Sequence, residues 1–247
     1  INRKLTSFQG YPALEVVEKM KDSSIITAKF IIQGPHYYAV AARTKDGKAD
    51  DFLNSFSFAP FEYGSNYHYV DTFFHFNVKT PVKPDVDDEL RTLIEKSSDE
   101  MMNAAAYASY WPKMRTASFK CDSTGELISV NVQKYPKYFY VKDSARFWQN
   151  EINDDLIDGD LVLYKKDTLF TDGKISGVHL ILRDTGTSRT MERLIVLKDE
   201  YIFYVSGMGD TLSNQTPFQK NFFTSFLPEQ KSLGRNIFIN NLDTFFN

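Results

Sequence analysis

The chain has 247 residues, 42% hydrophobic and 15% aromatic, which is enough to build real cores and excludes wholesale disorder. Its net charge of -3 and pI near 5.9 argue against a polyanion-binding domain, so no nucleic-acid partner is expected. No stretch of about 18 apolar residues occurs, which excludes a transmembrane helix.

The opening Ile1-Asn2-Arg3-Lys4 has no apolar segment behind it and does not read as a signal peptide. The missing initiator Met fits a fragment of a longer polypeptide. Tyr11 to Val17 then reads as a strand, Asp22-Ser23-Ser24 as a turn and Ile25 to Ile32 as a second strand. Tyr38 to Ala41 makes a third. Ala49, Phe52, Leu53 and Phe56 follow at helical spacing and predict one apolar stripe. Thr72 to Lys79 alternates, with Phe74, Phe76 and Val78 on one side, and predicts a half-buried strand ended by Pro81 and Pro84. Asp85 to Trp111 reads as largely helical. Ala117 to Cys121 and Leu127 to Val132 read as a hairpin around Ser123-Thr124-Gly125, and Asp143-Ser144 caps a short helix carrying Phe147 and Trp148.

Four further strands follow: Leu161 to Tyr164, Val178 to Leu182, Leu194 to Leu197, and Tyr201 to Val205. Turns are expected at Asp172-Gly173, at Asp184 to Ser188 and at Lys198 to Glu200. Thr216-Pro217 supplies a hydroxyl N-cap and a proline at the first helical position, ahead of Phe218, Phe222, Phe223 and Phe226.

Two segments recur. Phe52-Leu53-Asn54-Ser55-Phe56 returns as Phe222-Phe223-Thr224-Ser225-Phe226, and Asp71-Thr72-Phe73-Phe74 as Asp243-Thr244-Phe245-Phe246. Both offsets are about 170 residues, which predicts a repeating unit of that size. The expected organisation is the C-terminal half of one unit over residues 1–62 and a second unit over 63–247. The second unit carries a helical insertion at 85–111, and 243–247 is the opening strand of a further unit or a strand filling the gap left in the first. Ala13 to Glu18 has helix-friendly composition, but the repeat makes it a strand.

The fold class is therefore α+β, with antiparallel sheets packed against helices. A hairpin, another strand and a helix ending in Ser-Phe, seen over Tyr38 to Phe56 and Tyr201 to Phe226, resemble the Mog1/PsbP-like fold. That family includes photosystem accessory proteins, a small-GTPase-binding protein and bacterial lipoproteins. The resemblance implies binding or assembly more than catalysis, although fold alone is a weak functional warrant.

Asp184-Thr185-Gly186-Thr187-Ser188 has the form of an aspartic-protease loop, which needs a second such carboxylate. The matching position near the N-terminus is Asp22-Ser23-Ser24 without glycine, so a shared turn former is expected instead. His68 and His75, seven apart on one strand, would face opposite ways and could not share a metal without a bulge. Cys121 lies beside Asp122, which should raise its thiol pKa. Gly34-Pro35-His36 and Gly207-Met208-Gly209-Asp210 lack phosphate-loop spacing, and Pro217 follows the glycosylation-like Asn214-Gln215-Thr216. No cofactor or metal is expected.

Lys134 to Lys142 interleaves bases with aromatics and reads as a strand with guard lysines or as a recognition surface. If a recognition surface exists, Tyr135, Tyr138, Tyr140 and Trp148 are the residues expected to form it, toward a protein or small-ligand partner. The expected function is a non-enzymatic binding or scaffolding module of a larger, bacterial extracytoplasmic (periplasmic or secreted) protein. The alternative is an accessory or cryptic hydrolase region with its active site outside the fragment or between units. A hydrolase should show a pocket with two carboxylates, or a carboxylate and a histidine; a scaffold should not.

Overall fold

The computed structural model describes residues 1–85, 113–136, 139–154, 156, 161–171 and 175–240. Within them the chain forms three antiparallel sheets. The first is a meander of β1 (Asn2–Phe8), β2 (Tyr11–Lys19), β3 (Ile25–Gln33) and β4 (His36–Thr44), followed by helix α1 (Asp50–Ser55). The small sheet holds β5 (Tyr67–Asp71), β6 (Phe76–Thr80) and the late strand β13 (Leu227–Pro228). The large sheet takes β7 (Lys113–Lys120) and β8 (Leu127–Lys134), then β9 (Leu161–Thr171), β10 (Ile175–Asp184), β11 (Arg189–Lys198) and β12 (Tyr201–Asp210), in the order 7-8-12-11-10-9. Helix α2 (Ser144–Asp154) precedes β9 and helix α3 (Pro217–Ser225) follows β12. A four-stranded meander followed by a helix thus occurs twice in the chain.

Alternation decides which side chains the large sheet buries. One face carries Val130, Val132, Leu194, Val196, Phe203 and Val205, covered by Phe218, Phe222 and Phe226 of the α3 region and by Phe74, Phe76 and Val78 of the small sheet. The other carries Val178, Leu180, Leu182, Ile195, Leu197 and Ile202, covered by Phe147 and Ile152 of α2 and by Ile237. Helix α3 starts as its sequence demands: Thr216 Oγ1 accepts the Gln219 amide at 3.3 Å, with proline at the first turn.

Among the described residues, the first sheet is covered on one face only. Phe8, Tyr11, Ala13 and Ile31 pack there with Tyr38, Phe56 and Phe58. On its other face Phe30 and Tyr37 are 46% and 63% exposed. Counted from the closing hairpin pairs Gln33–His36 and Lys198–Tyr201, they match Ile195 and Ile202, both fully buried beneath α2.

Several expectations change. The strand expected over Thr72 to Lys79 begins only at Phe76. Asp71 Oδ1 accepts the amides of Phe73 and Phe74 at 3.0 and 2.8 Å, and this turn folds β6 back on β5. Phe74, Phe76 and Val78 nevertheless share the buried side. Of the α1 stripe, Ala49 and Leu53 are buried but Phe52 is 57% exposed, with no strand of the described residues over that side of α1. Lys134 to Lys142 is not a continuous strand: β8 ends at Lys134, and the Phe139 amide turns back to the Pro136 carbonyl at 2.8 Å. Strands β1 and β5 have no clear apolar alternation to announce them. The helix expected over 85–111, the turn at Asp172-Gly173 and the segment 243–247 lie outside the described residues. No helix among those described is long and apolar enough to cross a membrane.

Candidate functional site

Where the first sheet meets the large one, the backbone comes unusually close. The β3–β4 hairpin turns through Gly34-Pro35, with Gly34 at φ +53°, and a Cβ there would lie 2.7 Å from Asp210 Cβ and 3.0 Å from the Gly209 carbonyl oxygen. Only glycine fits both the left-handed conformation and this approach. The last residues of β12 and the loop into α3 face the hairpin, Ala59-Pro60-Phe61 of the connecting segment closes one side, and Glu126 contributes from the β7–β8 turn. Between them lies a cavity of about 320 Å³, within the ordinary size range of small-ligand sites.

Glu126 is 1% exposed. Its Oε1 accepts the Thr216 hydroxyl at 2.7 Å, and its Oε2 accepts the Thr124 hydroxyl at 2.9 Å and the Tyr63 hydroxyl. Three hydroxyls, and no cation among the described residues, hold this buried carboxyl group in the wall. Burial and then the Glu126 bond push the Tyr63 pKa well above the usual phenol range. Asp210 Oδ1 accepts the Leu212 amide at 3.0 Å, while Oδ2 is shielded from solvent without a hydrogen-bond partner among the described residues. Tyr11 stands beside it: burial raises the Tyr11 pKa, Gln33 opposes this, and the Asp210 carboxylate raises it again, yet the phenol makes no hydrogen bond to Oδ2. His36 packs edge-on against Phe61, with ring centroids 5.0 Å apart, and its Nε2 is likewise buried and unpartnered.

Burial lowers the His36 pKa, and Glu126 only partly restores it. The imidazole is therefore neutral at pH 7. A histidine lowered in the folded state takes up its proton more readily when unfolded, so its contribution to stability is complete above about pH 6.5 and is lost as pH falls through the folded pKa. Urea midpoints for the native chain should therefore fall between about pH 7.5 and about pH 5. His36→Gln should show a smaller drop, and an unchanged pH dependence would contradict the assignment.

The expected aromatic recognition surface does not assemble around its first member. Tyr135 is 7% exposed, stacked on Phe139 at 4.5 Å and packed against Phe147 in the core beneath α2. Trp148 is half-buried beside Phe147, Tyr140 is 38% exposed, and Tyr138 lies outside the described residues. Asp184 is committed to its own turn, accepting the Gly186 amide at 2.7 Å and the Thr187 hydroxyl at 2.8 Å. Asp22 does the same for Ser24, through its amide at 3.2 Å and its hydroxyl at 2.6 Å. His68 meets Asn77 at 3.2 Å, whereas His75 pairs with Glu229 at 2.9 Å. The two histidines occupy a strand and a turn rather than one strand. Cys121 departs from expectation: burial pushes its thiol pKa up, but hydrogen bonds from Ser123 and Thr124 outweigh this and lower it. Asp122, expected to raise it, points into solvent with its side chain 91% exposed.

About half of the residues lining the cavity come from segments that read singly as ordinary turns, Gly34-Pro35-His36, Gly207 to Asp210 and Asn214 to Thr216. The first lies about 170 residues from the other two, and no local motif announces that they meet.

Architecture and topology define an α+β protein of antiparallel sheets and packed helices. The chain is similar to the solution structure of cyanobacterial PsbP (CyanoP) from Synechocystis sp. PCC 6803, at 13% identity and a TM-score of 0.40. The match covers 70% of this chain and 98% of that one, and it is a likeness of fold. No family model and no curated protein matches the sequence.

Proposed function

We propose that this chain is a non-enzymatic binding module of a larger protein, holding a small polar ligand in the cavity between its first and large sheets. One observation carries this reading: the cavity walls come from both sheets and the segment joining them, so a ligand there contacts all three. The repeated meander-plus-helix supports a tandem arrangement in which the cleft forms where successive units meet. The tandem arrangement and the wealth of Asn, Tyr and Phe favour an extracytoplasmic bacterial setting.

A hydrolytic reading has one observation in its favour, since Glu126, Asp210 and His36 all border the cavity. Binding is the stronger reading because both Glu126 oxygens are already taken by hydroxyls, and among the described residues the His36 Nε2 has no carboxylate or hydroxyl within hydrogen-bond reach to activate or be oriented by.

A thermal-shift screen with a library of small polar molecules tests the proposal. Ligands that raise the native Tm should lose their effect in Ser213→Trp, whose indole fills the cavity from its exposed loop. Ligands that stabilise both proteins equally, or a library without any stabilising member, would overturn it.

A further inference from the structure

We propose that the ligand of this cavity is a small organic cation, a primary ammonium or amidinium group on an apolar body, with Asp210 as its counter-charge. The inference rests on the cavity being a binding site and adds the chemical class of its occupant.

The charge of the wall is the first ground. Among the described residues that line it, Glu126 and Asp210 are the two carboxylic acids, and none is Lys or Arg. His36, its remaining titratable side chain, adds no positive charge at neutral pH because burial keeps it deprotonated. The cavity is therefore anionic, and two carboxylates in one partly enclosed space favour a cation over a neutral or anionic guest.

The second ground is the unmet hydrogen-bonding capacity. Asp210 Oδ2 is a carboxyl oxygen shielded from solvent and without a hydrogen-bond partner among the described residues, so a ligand group reaches it only with a shift of the wall, and a charged donor there recovers most of the cost of its burial. Arg189, which pairs with Asp210 across β11 and β12, could have been that donor. Its guanidinium turns away to lie over the Tyr37 ring, 5.3 Å from the centroid, and donates to the Tyr37 hydroxyl. Beside the cavity, the His36 ring carries a second shielded nitrogen without a hydrogen-bond partner among the described residues.

The third ground is the apolar remainder of the lining. Phe61, Pro35, Pro60 and Pro217 offer a rigid surface to the body of a ligand. A bare metal ion would use none of this, and no cluster of metal-ligating side chains exists among the described residues.

The test compares three probes of nearly equal shape, benzylamine, benzyl alcohol and benzoate, on the unmodified chain by amide chemical-shift titration at pH 7. Benzylamine should shift the amides of residues 33–36 and 208–216 and bind at least about tenfold more tightly than either of the others, the step expected for one charge-assisted hydrogen bond. Asp210→Asn should remove most of that preference while the backbone spectrum outside the cavity stays native. Raising the salt concentration on the native chain should weaken benzylamine alone, which keeps the test valid if the variant does not fold. Equal binding of the three, or a preference for benzoate, with shifts still at the cavity would overturn the cation and leave the binding site standing. Shifts elsewhere, or none with any probe, would sink both. Calcium chloride alone producing the same cavity shifts would assign the site to a metal ion and overturn the proposal as well.

Discussion

Phe222→Ala is expected to destabilise the protein by about 3–5 kcal/mol, the range for truncating a fully buried phenylalanine. Its sequence counterpart Phe52→Ala is expected to change stability by less than about 0.5 kcal/mol, as exposed substitutions do. The two side chains sit in the same short pattern, Phe-Leu-Asn-Ser-Phe and Phe-Phe-Thr-Ser-Phe, and differ only in what covers them. Phe222 is buried against Phe119, ring centroids 4.8 Å apart, within a cluster that includes Phe74, Phe76 and Phe218. Removing it opens a cavity that these rings cannot close without leaving their rotamers. Phe52 is 57% exposed on the six-residue α1. Urea denaturation of both variants measures the contrast, and similar losses would mean that α1 is covered as α3 is.

The second large effect is at Glu126. Glu126→Gln keeps the shape but replaces a carboxylate that accepts three hydroxyl hydrogen bonds with an amide that can accept on one atom only. The Tyr63, Thr124 and Thr216 hydroxyls cannot all remain satisfied, and a loss of about 1.5–3 kcal/mol is expected, the worth of a hydrogen bond to a charged group. Thr216 also caps α3, so the loss should spread to that helix and be visible as faster amide exchange over its first turn. Tyr63→Phe removes a single donor and should cost only about 1 kcal/mol. A Glu126→Gln variant as stable as the native chain would show that burying the charge costs as much as its hydroxyl partners return.

The inner strands of the large sheet, β8 and β10 to β12, were legible because each has one or two buried faces and the period of two follows directly, whereas β9, read only over Leu161 to Tyr164, is exposed along most of its length. Helix α3 was legible from Thr216-Pro217 and the spacing of its four phenylalanines. β1 was not, since an edge strand reading Asn-Arg-Lys-Leu-Thr-Ser-Phe is exposed on nearly every side chain and carries no alternation. The break at Thr72–His75 was hidden because the buried side of the chain continues across it while Asp71 bends the backbone. Phe52 and Tyr135 erred in opposite directions for one reason: exposure depends on which distant element lies overhead, α2 over Tyr135 and no strand over Phe52. The cavity was illegible in the same sense. Gly34 is a commonplace turn glycine until Asp210 arrives 2.7 Å from where its Cβ would be, and Glu126 is an ordinary turn residue until Tyr63 and Thr216 reach it from both sides.

Hydrogen exchange on the chain with and without its most stabilising small molecule tests the central claim most directly. Added protection should concentrate on the β3–β4 hairpin at 33–36, on 59–61 and on the loop from 208 to 216, binding both sheets at once. Protection confined to the region of Tyr140 and Trp148, or restricted to one sheet, would contradict a ligand site between the two.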